Sequence, residues 1–257
     1  MRTSRSRILV SALLILTLLL SGCESESGGS REESQGIKKD PIQTELSGQE
    51  EAEEAVLELE YEGEPYVEIN GGQPFFSEEE EKDTEEFETY SKLDGLGRCG
   101  TAYANVCEET MPDEKRGSIG QVKPSGWHTA KYSDLVEGNY LYNRCHLIAF
   151  ELSGENANER NLITGTRYMN VQGMLPLENK VAEYVRETDH HVLYRVTPVF
   201  KGEELVARGV IMEAYSVEDQ GEGISLCVYA FNVQPGIDIS YSDGSSQIDK
   251  EELDEKK

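Results

Sequence analysis

Asn143-Arg144-Cys145-His146-Leu147-Ile148-Ala149, an Asn-rich loop, and then Asn161-Leu162-Ile163-Thr164-Gly165-Thr166-Arg167-Tyr168-Met169-Asn170 form the stretch on which the reading of this chain turns. It brings together an imidazole, guanidinium groups and several amide carbonyls. Hydrolysis of a phosphodiester asks for that mixture. The phosphate repels a nucleophile, so the reaction needs a base to make hydroxide, positive charge on the phosphoryl oxygens and help for the departing oxygen. His146 is the candidate base, Arg144 the candidate oxygen clamp and Asn170 a candidate metal ligand. An unperturbed imidazole titrates at about pH 6.5, so a neutral His146 can accept a proton from water at physiological pH.

Outward from this stretch, Asn139 to Asn143 reads as a short strand leading into the motif, and Ser153 to Asn158 as a loop. Pro176 opens a helix over 176–188: proline suits the first turn, and Leu177, Val181, Tyr184 and Val185 share one face. Three strand-like runs follow, 191–200, 205–216 and 224–233, separated by Gly-rich turns. Such an antiparallel meander needs a covering layer, so a mixed α+β domain is expected, with the helix on or beside the sheet. Upstream, 66–69 alternates like a strand before the turn Asn70-Gly71-Gly72, Ser77 looks like a helix cap, and 101–106 reads as another strand.

The run Asn143-Arg144-Cys145-His146 resembles the Asp-Arg-Gly-His signature of the DNA/RNA non-specific endonucleases, the ββα-metal family. The likeness continues through Asn161, Asn170 and the following helix, over residues 60–243. Two signature positions differ, with Asn143 in place of Asp and Cys145 in place of Gly; His146 is kept. The resemblance implies an α+β, ββα-metal (His-Me finger) nuclease fold with a central antiparallel sheet flanked by helices. It implies His146 as base, assisted by Arg144 and by Glu178 as the group that orients metal-bound water. A first-turn Glu is also favoured by the helix dipole alone. The metal would be Mg²⁺, with Mn²⁺ or Ca²⁺ as alternatives, held by Asn170 with Asn161 as a second amide at the metal or substrate. Mg²⁺ prefers oxygen and keeps several waters, so a neutral amide ligand suits it. DNA and/or RNA is the implied substrate, cut to 5′-phosphate ends. A Cys145–His146 nucleophilic pair is not expected, because neighbours in an extended segment point to opposite faces.

The formal net charge is −26, from 50 acidic against 24 basic residues in a chain of 257. That balance excludes a generic nucleic-acid-coating protein, which carries a basic face. A nuclease must then rely on a local basic strip. The densest one holds Lys115, Arg116, Lys123, His128 and Lys131, interleaved with Trp127 and Tyr132. From it, Lys123 and Trp127 are candidate substrate contacts, with Trp127 either a base-stacking platform or a core residue; Asn143 and Arg167 complete the set. The acidic balance also supports a rival reading, a catalytically weak or inactive nuclease-fold lipoprotein that serves as a binding or scaffold module.

Residues 1–23 read as a processing segment: a basic start, an apolar run from Ile8 to Leu20, and Leu20-Ser21-Gly22-Cys23, which resembles a bacterial lipobox. That resemblance implies acylation of Cys23, a lipid-anchored chain outside the cytoplasm and a membrane as partner. Residues 24–60, rich in Ser, Gly and Glu, are expected to be an acidic flexible linker, 61–243 the nuclease domain and 244–257 a disordered polar tail. Cys99, Cys107, Cys145 and Cys227 remain, and spacing leaves their pairing open.

Overall fold

The computed structural model describes residues 46 and 48–250; the processing segment, Cys23 and the linker up to residue 45 lie outside them. In chain order the strands are β1 (Tyr66–Glu68), β2 (Phe87–Tyr90), β3 (Ala102–Val106), β4 (Tyr142–His146), β5 (Leu162–Thr166), β6 (Val192–Val199), β7 (Gly209–Ser216), β8 (Ser225–Phe231), β9 (Ile237–Ile239) and β10 (Ser246–Ile248). The helices are α1 (Gln49–Val56), α2 (Phe150–Ser153) and α3 (Leu175–Thr188). Six strands build one antiparallel sheet in the order β1-β8-β7-β6-β3-β2, β4 and β5 form a separate hairpin, and β9 and β10 another.

Every residue of β6 is buried, because both faces of the sheet are covered. Side chains alternate across a strand. One face of the sheet, with Tyr194, Val196, Met212, Ala214 and Val228, packs against Leu177, Val181, Ala182 and Val185 of α3 and against Cys145 and Ile163 of the β4–β5 hairpin. Two strands and a helix on this face are the ββα unit. The opposite face carries Ile211, Tyr229 and Phe231, covered by Ala52 and Val56 of α1 together with Leu46, Leu57 and Tyr61.

This second layer corrects the expected linker: its last part, from Gln49 onward, is a helix seated on the sheet. At the other end, β9 and β10 pair, and Tyr142 Oη and Tyr132 Oη hydrogen-bond to Gly244 O and Ser246 Oγ. The tail expected to be loose from about 243 is thus tied down as far as Ile248. Ser77 does cap, exchanging hydrogen bonds with Glu80, but the helix it opens is a single turn, Glu80–Lys82. The four cysteines are free and buried.

Candidate active site

Strand alternation in β4 sends Cys145 into the core, fully buried, while Arg144 and His146 face a pocket. Gly165 makes room for the thiol: a Cβ there would lie 2.3 Å from Cys145 Sγ. The pocket is lined by Asn143, Arg144 and His146 of β4, Glu151 of α2, Arg167 and Asn170 from the turn after β5, Glu178 of α3, and Arg116, Trp127 and Tyr140 from the long connection before β4. His146, Asn170 and Glu178 therefore open onto one space.

His146 is 6% exposed. Its Nε2 lies 2.8 Å from the carbonyl of Asn156, which can only accept, so Nε2 carries the proton and Nδ1 keeps its lone pair. Arg116 Nη2 donates to that Nδ1 at 3.1 Å. Burial pushes the imidazole pKa down to about 4; the Asn156 carbonyl opposes this and the Arg116 charge adds to it. The ring is therefore a neutral base over the physiological range.

Asn170 sits in a π-helical turn, Met169–Met174, that runs into α3. Such turns are rare and often occur at functional sites. Gly173 lets this turn lie close to the sheet, since a Cβ there would meet Ala230 Cβ at 3.3 Å. Glu178 stands in the first turn of α3. Burial pushes its carboxyl up to about 8, nearby Glu151 adds to this and Arg116 opposes it. A cation in the pocket would reverse that shift. Among the described residues no three His, Cys, Asp or Glu side chains converge as a ready ligand set. The donors on offer are an amide oxygen and a carboxylate, which fit a hard cation that keeps most of its waters.

Asn161 is elsewhere. It is fully buried, its Oδ1 accepting from Ile148 N at 2.8 Å and its Nδ2 donating to Ile148 O at 2.9 Å. With both amide groups engaged, it has no oxygen to offer a metal; it fixes the chain where β4 turns toward α2. Lys123 also stands apart, on a groove with Gln121, Pro124 and Glu159.

Arg144 donates through Nε to Val122 O and through Nη2 to Gly120 O, and its guanidinium lies 3.9 Å from the Trp127 ring centroid. It braces the loop before β4 as well as charging the pocket wall. Trp127 has one face under that guanidinium and packs in a cluster around Val136, Leu141, Tyr142 and Ile237. It is a wall of the pocket, not an open stacking platform.

Arg116 is the residue that sequence reasoning missed at the site. It was visible only as one charge in a basic turn. None of Arg116, Arg144 or Arg167 forms an ion pair with a carboxylate among the described residues. Buried Arg167 Nε and Asn143 Nδ2 have no hydrogen-bond partner in the chain. A half-buried pocket with three unneutralised guanidinium groups and two idle donors is built for an anion with several oxygens.

A family model described as DNA/RNA non-specific endonuclease matches residues 78–218. A deoxyribonuclease of Streptococcus dysgalactiae subsp. equisimilis is 28% identical over 197 residues, 60% of this chain; the chain spans 59% of the length of that curated relative. Among solved structures, the Sda1 nuclease with bound zinc ion is 31% identical, covering 63% of this chain and 81% of that one, with a TM-score of 0.54. The magnesium-bound structure of NucA from Streptococcus agalactiae is 22% identical, covering 73% and 91%, with a TM-score of 0.63. The fold is the α+β, ββα-metal nuclease fold with a central antiparallel sheet.

Proposed function

The chain belongs to the DNA/RNA non-specific endonuclease family, and from that premise we propose that it is a divalent-metal-dependent endonuclease that hydrolyses DNA and/or RNA outside the cytoplasm. The observation that carries this reading is the neutral, carbonyl-oriented His146 facing a pocket of three arginines without carboxylate partners.

In the proposed reaction the substrate phosphate enters the pocket and draws the exposed Arg116 guanidinium from Nδ1 of His146 onto a phosphoryl oxygen. The freed lone pair takes a proton from water, whose oxygen attacks phosphorus in line. The P–O3′ bond breaks, leaving a 5′-phosphate and a 3′-hydroxyl. Arg167 Nε and Asn143 Nδ2 gain the acceptor they lack. Guanidinium charge that meets negative charge as it develops is worth more in a partly closed pocket than in water. Asn170 and Glu178 would hold the cation, Mg²⁺ in our reading, which when bound supplies positive charge to the phosphate and the departing oxygen. Contacts of this kind go to phosphate and carry no base information, so sequence preference is slight.

The lipobox-like Leu20-Ser21-Gly22-Cys23 supports export, acylation of Cys23 and tethering to a membrane. The ordered domain then begins near Gln49, with 24–45 as the spacer. The rival reading, an inactive binding module on the same fold, draws on the net charge of −26 and the altered Asn143 and Cys145.

Plasmid nicking separates the two. We expect supercoiled DNA to be nicked with Mg²⁺ and left intact with EDTA or by His146→Ala. Intact plasmid under every divalent metal and pH tried would favour the binding module.

A further inference from the structure

Four large apolar side chains are exposed among the described residues, Leu96, Tyr140, Leu175 and Ile248, and two of them, Tyr140 and Leu175, stand on the rim of the pocket. Isolated exposed apolar groups need no explanation. Two meeting at a guanidinium-lined pocket do.

Tyr140 is 47% exposed. It is held outward at the end of a tight turn, by Tyr132 N to Asn139 O at 2.9 Å, Leu141 N to Ala130 O at 3.0 Å and a bridge between Lys131 and Tyr140. The turn needs left-handed backbone at Gly138 and at Asn139, φ +77° and +70°, a conformation that asparagine tolerates better than most side chains. The Lys131 ammonium lies 4.7 Å from the Tyr140 ring centroid. The other pocket aromatics are engaged: Trp127 under Arg144, and Tyr142 buried with its hydroxyl on Gly244 O. Tyr140 is thus a rigidly presented ring with open surface, next to positive charge, in the same pocket as His146.

We infer that Tyr140, with Lys131 beside it, is a stacking platform for an unpaired nucleobase next to the scissile phosphate, so that the preferred substrate is single-stranded or locally melted nucleic acid. An aromatic platform beside a cation is how single strands are held without sequence preference, because every base has a π-face. In a duplex those faces are already covered by neighbouring bases, and exposing one requires unstacking. The inference rests on the phosphodiesterase reading for its substrate but on Tyr140 for its geometry.

The test has two arms. In His146→Ala protein, a single-stranded oligonucleotide carrying 2-aminopurine should show fluorescence quenching on binding. The quenching should disappear with Tyr140→Ala and return with Tyr140→Phe, which keeps the ring. In active protein with Mg²⁺, kcat/KM on single-stranded DNA should exceed that on the duplex of the same sequence. Tyr140→Ala should lower the single-strand value by roughly tenfold, and Tyr140→Phe should restore it. Duplex cut as fast as single strand, or Tyr140→Ala quenching and cutting like the unaltered chain, overturns the platform. Quenching without cleavage of any nucleic acid would uphold the platform and overturn the hydrolytic reading.

Discussion

Arginines on the two faces of the central sheet live in opposite circumstances. On the back face, Arg195 makes two hydrogen bonds to the fully buried Glu213, at 2.7 and 2.8 Å, and its guanidinium lies 4.6 Å from the Phe76 ring centroid. Glu213 in turn accepts from Phe75 N at 2.7 Å. Every charge there is answered from within the chain. On the pocket side, Arg116, Arg144 and Arg167 have no carboxylate partner among the described residues, and Arg167 Nε has no acceptor at all. The first arrangement is complete and serves the fold. The second lacks an anion and serves something that arrives from outside.

That contrast predicts substitutions that separate activity from stability. His146→Ala should lower kcat by roughly 10²–10⁴-fold, the usual contribution of a positioned base, with the thermal midpoint nearly unchanged. Glu213→Gln should do the reverse. Removing one partner of a buried ion pair destabilises by about 3–5 kcal/mol, read as a lower urea midpoint, while kcat per folded molecule stays the same. An active-site loss from Glu213→Gln, or a collapse of the fold from His146→Ala, would erase the distinction.

Arg116→Ala should lower kcat/KM by roughly 10²-fold, as expected for a donor that meets transition-state charge, and Arg116→Lys should recover only part. The two asparagines sharpen the comparison further. Asn161→Ala leaves Ile148 N and O unpaired in the core and should destabilise by about 1–3 kcal/mol without altering the Mg²⁺ concentration for half-maximal activity. Asn170→Ala should raise that concentration and leave the urea midpoint in place.

The smallest effect concerns pH. His146 is depressed to about 4, against an ordinary histidine value of about 6.5. Between these values the unfolded chain binds more protons than the folded one. The stability gained by burying a neutral imidazole is therefore complete above about 6.5 and declines as pH falls toward 4. The base itself stays neutral through that window, so kcat/KM should show no acid inflection near 6.5. Arg116→Ala, which removes a charge that lowers the pKa, should move the acid limb upward.

Much of the site was legible because it is local. His146, Arg144 and Asn143 share one strand, Arg167 and Asn170 one turn, and Glu178 opens a helix announced by Pro176. Arg116 was not legible as a site residue: it reaches His146 across 30 positions, from an exposed turn whose only signal is charge. Asn161 was misread because an amide shows no preference for metal or backbone until Ile148 is placed beside it. The second layer of the fold was hidden for a different reason. Helix α1 buries only Ala52 and Val56 among glutamates, too few apolar positions to mark a period. The C-terminal hairpin has strands of three residues, mostly polar, whose anchoring depends on Tyr132 and Tyr142 far upstream.

The most direct test is a crystal structure of His146→Ala with Mg²⁺ and a short oligonucleotide. The account predicts a phosphate within hydrogen-bond distance of Arg116 and Arg167, with the cation between it and Asn170. A phosphate bound instead along the Lys123 groove, with Arg116 and Arg167 still unengaged, would contradict it.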